Sequence, residues 1–232
     1  MAPPPPKIAT DRSLLPAQLA ASLFGEARLV KLQPQQMLFT AGDPGDSCAL
    51  VEEGLLKVHV ISPSGGERIL AILGPGALVG ELAMIDGAPR SASVSALKET
   101  TLRVVTRAAF EAITAQQPDV YRHVTAVLAR RLRDIDDALT ASSFLPLKGR
   151  TARALLSLAD AFGKDVGNGR ILIHQKVSQA DIAAMAGIAR ENVSRILQDW
   201  TRQGVLSRLA GYYCLEKRAA VERERDVATR DD

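Results

Sequence analysis

The chain has 232 residues, 47% hydrophobic and 24% charged, with a net charge of +3 and a mean hydropathy of +0.03, the profile of a soluble protein of one or two domains. No apolar run reaches the roughly 18–20 residues of a membrane span, and the start, Met1-Ala2-Pro3-Pro4-Pro5-Pro6-Lys7, carries neither a secretory h-region nor the second-position glycine that myristoylation needs. Two distant cysteines, Cys48 and Cys214, are too few for a disulfide scaffold, an iron–sulfur cluster or a structural zinc, and they point to a reducing cytoplasm.

Residues 1–11 are Pro-rich and polar and read as a disordered leader. Apolar residues from Leu14 to Phe24 recur at helical spacing. From about Lys31 to Thr106 the texture changes to short apolar runs separated by turn signals. These are Ala41 to Asp46, Glu52-Glu53-Gly54, Ser62 to Gly66 and Gly74-Pro75-Gly76. Runs such as 55–61 and 101–105 between such turns predict a β-sandwich, barrel or jelly roll over 12–117. Pro118 and Asp119 then open a stretch without Gly or Pro. In it Val124, Leu128, Leu132, Ile135 and Leu139 mark one stripe of a long helix within 118–144, about 25 residues and roughly 37 Å. A narrow stripe on so long a helix suits pairing with a second copy; packing on its own β domain is the other use, and different faces can do both.

Within the β region, residues 80–92 read Gly-Glu-Leu-Ala-Met-Ile-Asp-Gly-Ala-Pro-Arg-Ser-Ala. Gly80 lets the backbone turn and present amides to an anion. Glu81 offers an acceptor for a hydroxyl, and Arg90 a forked donor for a phosphate. Singly these are what any turn and surface charge look like.

Residues 145–148 form a hinge, and the remainder, 149–216, reads as a small helical domain. A helix runs from Arg150 to Phe162, a turn passes through Gly167-Asn168-Gly169, and two short helices follow Ser178 before a hairpin near Ala210-Gly211. Residues 149–214 hold nine basic and five acidic side chains, whereas 1–148 balance at 15 each and the charged tail, 217–232 with two preceding residues, carries five and six. The basic excess therefore sits where a polyanion would be met. Ser178 with Asp181 forms a helix N-cap close to a capping box, and Gly187 suits the turn before the second helix, which together match a helix-turn-helix. At about 100° per residue, with Arg190 at 0°, Ser194, Glu191 and Arg195 fall within about 140° of it, while Val193, Ile196, Leu197 and Trp200 cluster between about 240° and 340°. Arg can fork onto guanine and Glu can accept from cytosine N4, so this polar front suits base edges.

Lys176-Val177-Ser178-Gln179-Ala180-Asp181-Ile182-Ala183 and Arg190-Glu191-Asn192-Val193-Ser194-Arg195-Ile196-Leu197 resemble the winged helix-turn-helix of the CRP/FNR bacterial transcription regulators. The Gly-Glu-Leu and Arg-Ser-Ala elements of 80–92 resemble the phosphate cassette of cyclic-nucleotide-binding domains. The resemblance implies an α+β architecture: a double-stranded β-helix (jelly-roll) nucleotide-binding domain, a long dimerisation helix and a C-terminal winged helix-turn-helix. It implies that Glu81 takes the ribose 2′-hydroxyl and Arg90 the cyclic phosphate. Ser91 adds a hydroxyl, and amides near Gly80, Leu82 and Ala92 complete the cradle. It further implies that Ser178, Arg190, Glu191, Ser194 and Arg195 meet DNA, that Tyr212 to Leu215 belong to the wing, and that RNA polymerase is a partner. Ala189 departs from the usual Ser or Thr N-cap, which forgoes about 1 kcal/mol.

The base contacts do not carry over. After Ala129-Arg130-Arg131-Leu132, Ile135 and Asp136 stand where cAMP-responsive members place Thr and Ser. Asp136 can accept from guanine and Ser91 can reach its 2-amino group, so cyclic AMP and cyclic GMP both stay open as allosteric ligand. The expectation is a non-enzymatic homodimer on an inverted-repeat DNA operator, with no metal. The alternatives are a vestigial pocket, a haem or redox input, or a nucleotide module acting on a protein partner. Four clustered cysteines are missing, His59, His123 and His174 read as structural or exposed, and residues 176–203 disfavour the last.

Overall fold

The computed structural model describes residues 17–226. The leader read at 1–11 and the last six residues of the tail lie outside that range. The described residues fall into two compact units, divided between Leu132 and Arg133.

In the first unit, α1 (Ala17–Phe24) precedes eight strands: β1 (Arg28–Leu32), β2 (Met37–Phe39), β3 (Ser47–Glu53), β4 (Leu56–Ile61), β5 (Glu67–Leu73), β6 (Leu78–Val79), β7 (Ser93–Ala96) and β8 (Thr100–Thr106). A short helix, α2 (Glu81–Asp86), interrupts them, and α3 (Arg107–Gln116) and α4 (Asp119–Phe144) follow. The strands form two four-stranded antiparallel sheets, ordered β1-β8-β3-β6 and β2-β7-β4-β5. Each turn signal read from the sequence joins two strands. The loop over 62–66, for instance, closes on a Ser62 N–H donated to the Gly66 carbonyl at 2.8 Å. Apolar residues of both sheets, among them Leu32, Val51, Leu56, Val94 and Leu102, form one buried cluster. A second cluster seats α1, α3 and the start of α4 through Leu23, Phe24, Phe110, Val120 and Val124, with Cys48 and Met84 among them. α2 was not anticipated as a helix: six residues are too few to show a periodicity, and tertiary contacts hold it.

The α4 bounds match the sequence reading closely. Val120 and Val124 near its start are buried, whereas Leu132, Ile135 and Leu139 are 60%, 57% and 64% exposed.

The second unit takes the rest of α4, then α5 (Leu147–Phe162), β9 (Gly163–Asp165), β10 (Ile171–Ile173), α6 (Gln179–Ala186), α7 (Arg190–Arg202), β11 (Leu206–Leu209), β12 (Tyr212–Leu215) and α8 (Arg218–Asp226). Its sheet runs β11-β12-β10-β9. Leu155, Leu156, Ile173, Ile182, Val193 and Trp200 form its interior. Fully burying one such aliphatic side chain contributes about 1.5–3 kcal/mol. Two boundaries differ from the sequence reading. Pro146 is the N-cap of α5, so Leu147 and Lys148 of the hinge belong to its first turn. The segment read as a charged tail from 217 contains α8, whose Val221 is fully buried. Arg218 anchors it to Asp160 of α5 at 2.7 Å, and Lys148 reaches Glu224 of α8 and Asp199 of α7 at 3.3 and 3.4 Å. A single buried position in so short a helix left no stripe for the sequence to show.

Candidate ligand cradle and nucleic-acid interface

The cradle begins where β6 ends. Gly80 has φ +83°, a conformation that favours glycine, and a Cβ there would lie 2.6 Å from Arg90 Nη1, so a side chain would also displace the guanidinium. That turn starts α2 with Glu81 in its first turn and its side chain turned inward, 2% exposed. Glu81 Oε1 is paired with Arg131 of α4, whose other guanidinium nitrogen donates to the Leu78 carbonyl. Arg90 is 6% exposed. Its Nη1 donates to the Gly80 carbonyl at 3.0 Å and its Nη2 to the Ser47 carbonyl at 2.7 Å and the Ser47 hydroxyl at 3.2 Å. The Phe39 ring lies 4.1 Å beneath the guanidinium. Burial pulls the Arg90 pKa below the usual arginine value, opposed by Asp46, Cys48, Glu81 and Asp43. Burial, and then the Glu81 charge, pushes the nearby Cys48 thiol up to about 12, so it stays protonated and unreactive.

Among the described residues, each of the two buried charges keeps one hydrogen-bonding atom without a partner: Glu81 Oε2, an acceptor, and Arg90 Nε, a donor. An unmade bond at a buried polar atom costs about 1–3 kcal/mol. A ligand presenting a hydroxyl and an anionic oxygen would relieve both.

Of the other residues singled out from the sequence, Ala92 is buried, Ser91 is exposed and Leu82 is 43% exposed. Ile135, 57% exposed, and Asp136, also exposed, lie on the part of α4 that belongs to the second unit. Arg131 and Ser47 are cradle residues that sequence reasoning did not assign. Arg130 and Arg131 are adjacent, about 100° apart on a helix, and periodicity does not say which faces a partner. Ser47 lies 43 positions from Arg90 and carries no local signal.

The second surface rests on α6 and α7. The Ser178 hydroxyl accepts from the Asp181 N–H at 3.0 Å, and Asp181 accepts from the Ser178 N–H at 2.9 Å, a complete capping box. The Ser178 side chain, expected at DNA, is thus already engaged in capping. α6 ends at Gly187, φ +64°. Arg150 of α5 donates Nε to the Ala186 carbonyl at 3.0 Å and Nη2 to that of Gly187 at 2.5 Å, satisfying carbonyls that a helix end leaves open. Ala189 caps α7 in an extended conformation without any side-chain bond. Val193, Leu197 and Trp200 point inward, at 0%, 3% and 1% exposure, and Ile196 is half-buried. Arg190, Glu191 and Arg195 are exposed, on the polar front of the angular reading, whereas Ser194, placed on the same front, is half-buried. Arg195 donates to the Asn192 side chain.

Beside α7, the β11–β12 hairpin presents Tyr212, stacked on His174 with centroids 5.7 Å apart, and Lys176 lies over the same ring. The other histidines are engaged too: buried His59 faces Glu67 at 3.7 Å, and His123 Nδ1 lies 2.8 Å from the Asp119 carbonyl. Among the described residues no helix is long and apolar enough to cross a membrane.

Comparison with known proteins matches a family to each of the two units. Residues 29–117 match the cyclic nucleotide-binding domain, and residues 149–224 match the Crp-like helix-turn-helix domain. The CRP-like cAMP-activated global transcriptional regulator of Mycobacterium tuberculosis is 33% identical over 184 residues, 79% of this chain and 82% of that protein. The Cyclic AMP receptor protein of Thermus thermophilus is 37% identical over 177 residues, 76% of this chain and 78% of its own. The crystal structure of a CRP-family transcriptional regulator from Thermus thermophilus superposes with a TM-score of 0.73 at 26% identity, covering 87% of this chain and 98% of that one. A cyclic-nucleotide-type β domain, a long helix and a Crp-like helix-turn-helix in one non-enzymatic chain place this protein in the CRP/FNR family of transcription regulators.

Proposed function

We propose that the protein is a cyclic-nucleotide-responsive DNA-binding regulator that acts as a homodimer on an inverted-repeat operator. The observation that carries this reading is the pair of unpartnered buried atoms, Glu81 Oε2 and Arg90 Nε. A 3′,5′-cyclic nucleotide offers a 2′-hydroxyl to donate to the one and an anionic phosphate to accept from the other. Gly80 supplies the turn into α2 that presents Glu81; Leu82, Ser91 and Ala92 line the same segment, and Ile135 and Asp136 are the candidates for the base. The relatives named for cyclic AMP support that nucleotide as ligand. Cyclic GMP is the second reading, favoured by the exposed acceptor Asp136 and the exposed hydroxyl of Ser91.

Arg131 gives the cradle its route outward. It bridges Glu81 and Leu78 while standing on α4, so a new bond at Glu81 changes the load on that helix. The exposed Leu132, Ile135 and Leu139 stripe, within 118–144, is where a second copy would pack. Differential affinity for two packings of that helix pair then biases the two α7 helices toward successive major grooves, about 34 Å apart. Arg190, Glu191 and Arg195 read bases there, Ser194 adds a hydroxyl, and Ser178 holds α6 in place. This activity belongs to the cytoplasm, with RNA polymerase as the further partner.

Calorimetric titration of the purified protein with cyclic AMP and, in parallel, cyclic GMP tests the reading. Saturable binding of one identifies the ligand, and comparable binding of both removes Ile135 and Asp136 as discriminators. Absence of heat and of competition from either overturns the cradle assignment.

A further inference from the structure

We propose that Arg107 is a positioning residue for the nucleotide cradle, holding Glu81 and Arg90 in register without touching the ligand; this rests on the reading of the cradle above. The two charged residues stand on separate pieces of chain. Arg90 is held by residues 40–47: its N–H donates to the Asp43 carbonyl at 2.9 Å, and its carbonyl accepts from the Gly42 N–H at 2.8 Å. The Asp43 carboxylate in turn accepts from the Thr40 N–H at 2.8 Å, and Ser47 takes the guanidinium. Glu81 stands on α2, a six-residue helix too short to hold its own orientation.

Arg107, the first residue of α3, joins the two pieces. Its Nη2 donates to the Ala83 carbonyl of α2 at 2.5 Å and to the Gly45 carbonyl at 2.6 Å, and its Nη1 lies 3.4 Å from the Met84 carbonyl. Its backbone N–H donates to the Asp46 carbonyl at 2.7 Å. A cation at the C-terminal end of α2 also meets the negative end of the helix dipole. The contact is close: a Cβ on Gly45 would lie 2.0 Å from that of Ala83, so loop and helix touch where only glycine fits. One nitrogen, Nη2, reaches carbonyls on both pieces at once, and the second, Nη1, adds the Met84 carbonyl from a fixed plane, an orientation that the single nitrogen of a lysine does not fix.

If Arg107 aims α2, its loss should fall on the contact that α2 makes, the 2′-hydroxyl at Glu81. The test compares binding of the preferred cyclic nucleotide with that of its 2′-deoxy analogue, in the full chain and in Arg107→Met and Arg107→Lys, by competition against a fluorescent nucleotide. The wild type should prefer the 2′-hydroxyl form. Arg107→Met should lose about tenfold for that form, the scale of one charge-assisted bond, and much less for the analogue, so the preference collapses; Arg107→Lys should fall between. Equal losses on both ligands, or none, overturn the proposal, since a merely structural role leaves the ratio unchanged. Should Arg107→Met lose its circular-dichroism signature, Arg107→Lys carries the same ratio test. No wild-type binding of either cyclic nucleotide refutes the cradle reading itself. Wild-type binding without 2′-hydroxyl preference refutes the role of Glu81, and the inference with it.

Discussion

In the cradle, Glu81 is 2% and Arg90 6% exposed, and each is tied to backbone or to an opposite charge before any ligand arrives; on α7, Arg190, Glu191 and Arg195 stand in solvent on a helix held only from behind. The physical reason lies in the size of the partner. A small ligand must be enclosed to be held, so its recognition charges are desolvated, and a desolvated charge has to be compensated within the fold. DNA brings its own dense charge to an open surface, so side chains that meet it can wait in water at little cost. Removing a cradle charge should therefore damage binding and folding together, whereas removing an α7 charge should damage binding alone.

The exposed stripe of α4 extends the comparison to apolar contacts and carries the largest expected effect. If the protein is the homodimer proposed above, replacing Leu132 and Leu139 by glutamate should turn that dimer into monomer in sedimentation velocity. Four lost leucines at about 1.5 kcal/mol each amount to roughly 6 kcal/mol of association, and a persistent dimer would assign the interface elsewhere. Next comes Arg90→Ala, expected to lower nucleotide affinity about 100-fold, roughly 3 kcal/mol, and to lower the unfolding temperature as well, because Gly80 and Ser47 lose their donor. Unchanged thermal stability would break the contrast drawn above. Arg190→Ala should cost about 1–3 kcal/mol on the operator, little on random DNA, and within about 0.5 kcal/mol in stability. Equal losses on operator and random DNA in fluorescence anisotropy would make Arg190 a phosphate contact instead. The smallest effect is a gain: Ala189→Ser supplies the missing cap of α7 and should raise stability by about 1 kcal/mol in chemical denaturation. No gain would mean that the extended backbone at 189 does not bring a hydroxyl to the first turn.

The α7 surface was legible almost entirely because its logic is local. A cap at Ser178, a glycine at the turn and a 3.6-residue period settle which face is buried, and the burial of Val193, Leu197 and Trp200 follows. The cradle was legible as a set of residues but not as a site. Gly80, Glu81 and Arg90 announce a turn, an acceptor and a donor, yet nothing in that stretch says that Glu81 points inward or that Arg90 hangs from Ser47.

The sequence by itself determined the periodicities, the turns and the caps, and through them the order of a β domain, a long helix and a helix-turn-helix domain, because these depend on neighbours within a few residues. Tertiary structure alone decided that Arg131 meets Glu81, that Ser47 receives Arg90 across 43 residues, that Arg107 joins α2 to the 40–47 loop, and that the charged C-terminal segment folds back as α8. Each is a contact between distant segments, and such contacts leave no period in the chain: the polar ones depend on which donors and acceptors the packed elements bring within about 3 Å of one another.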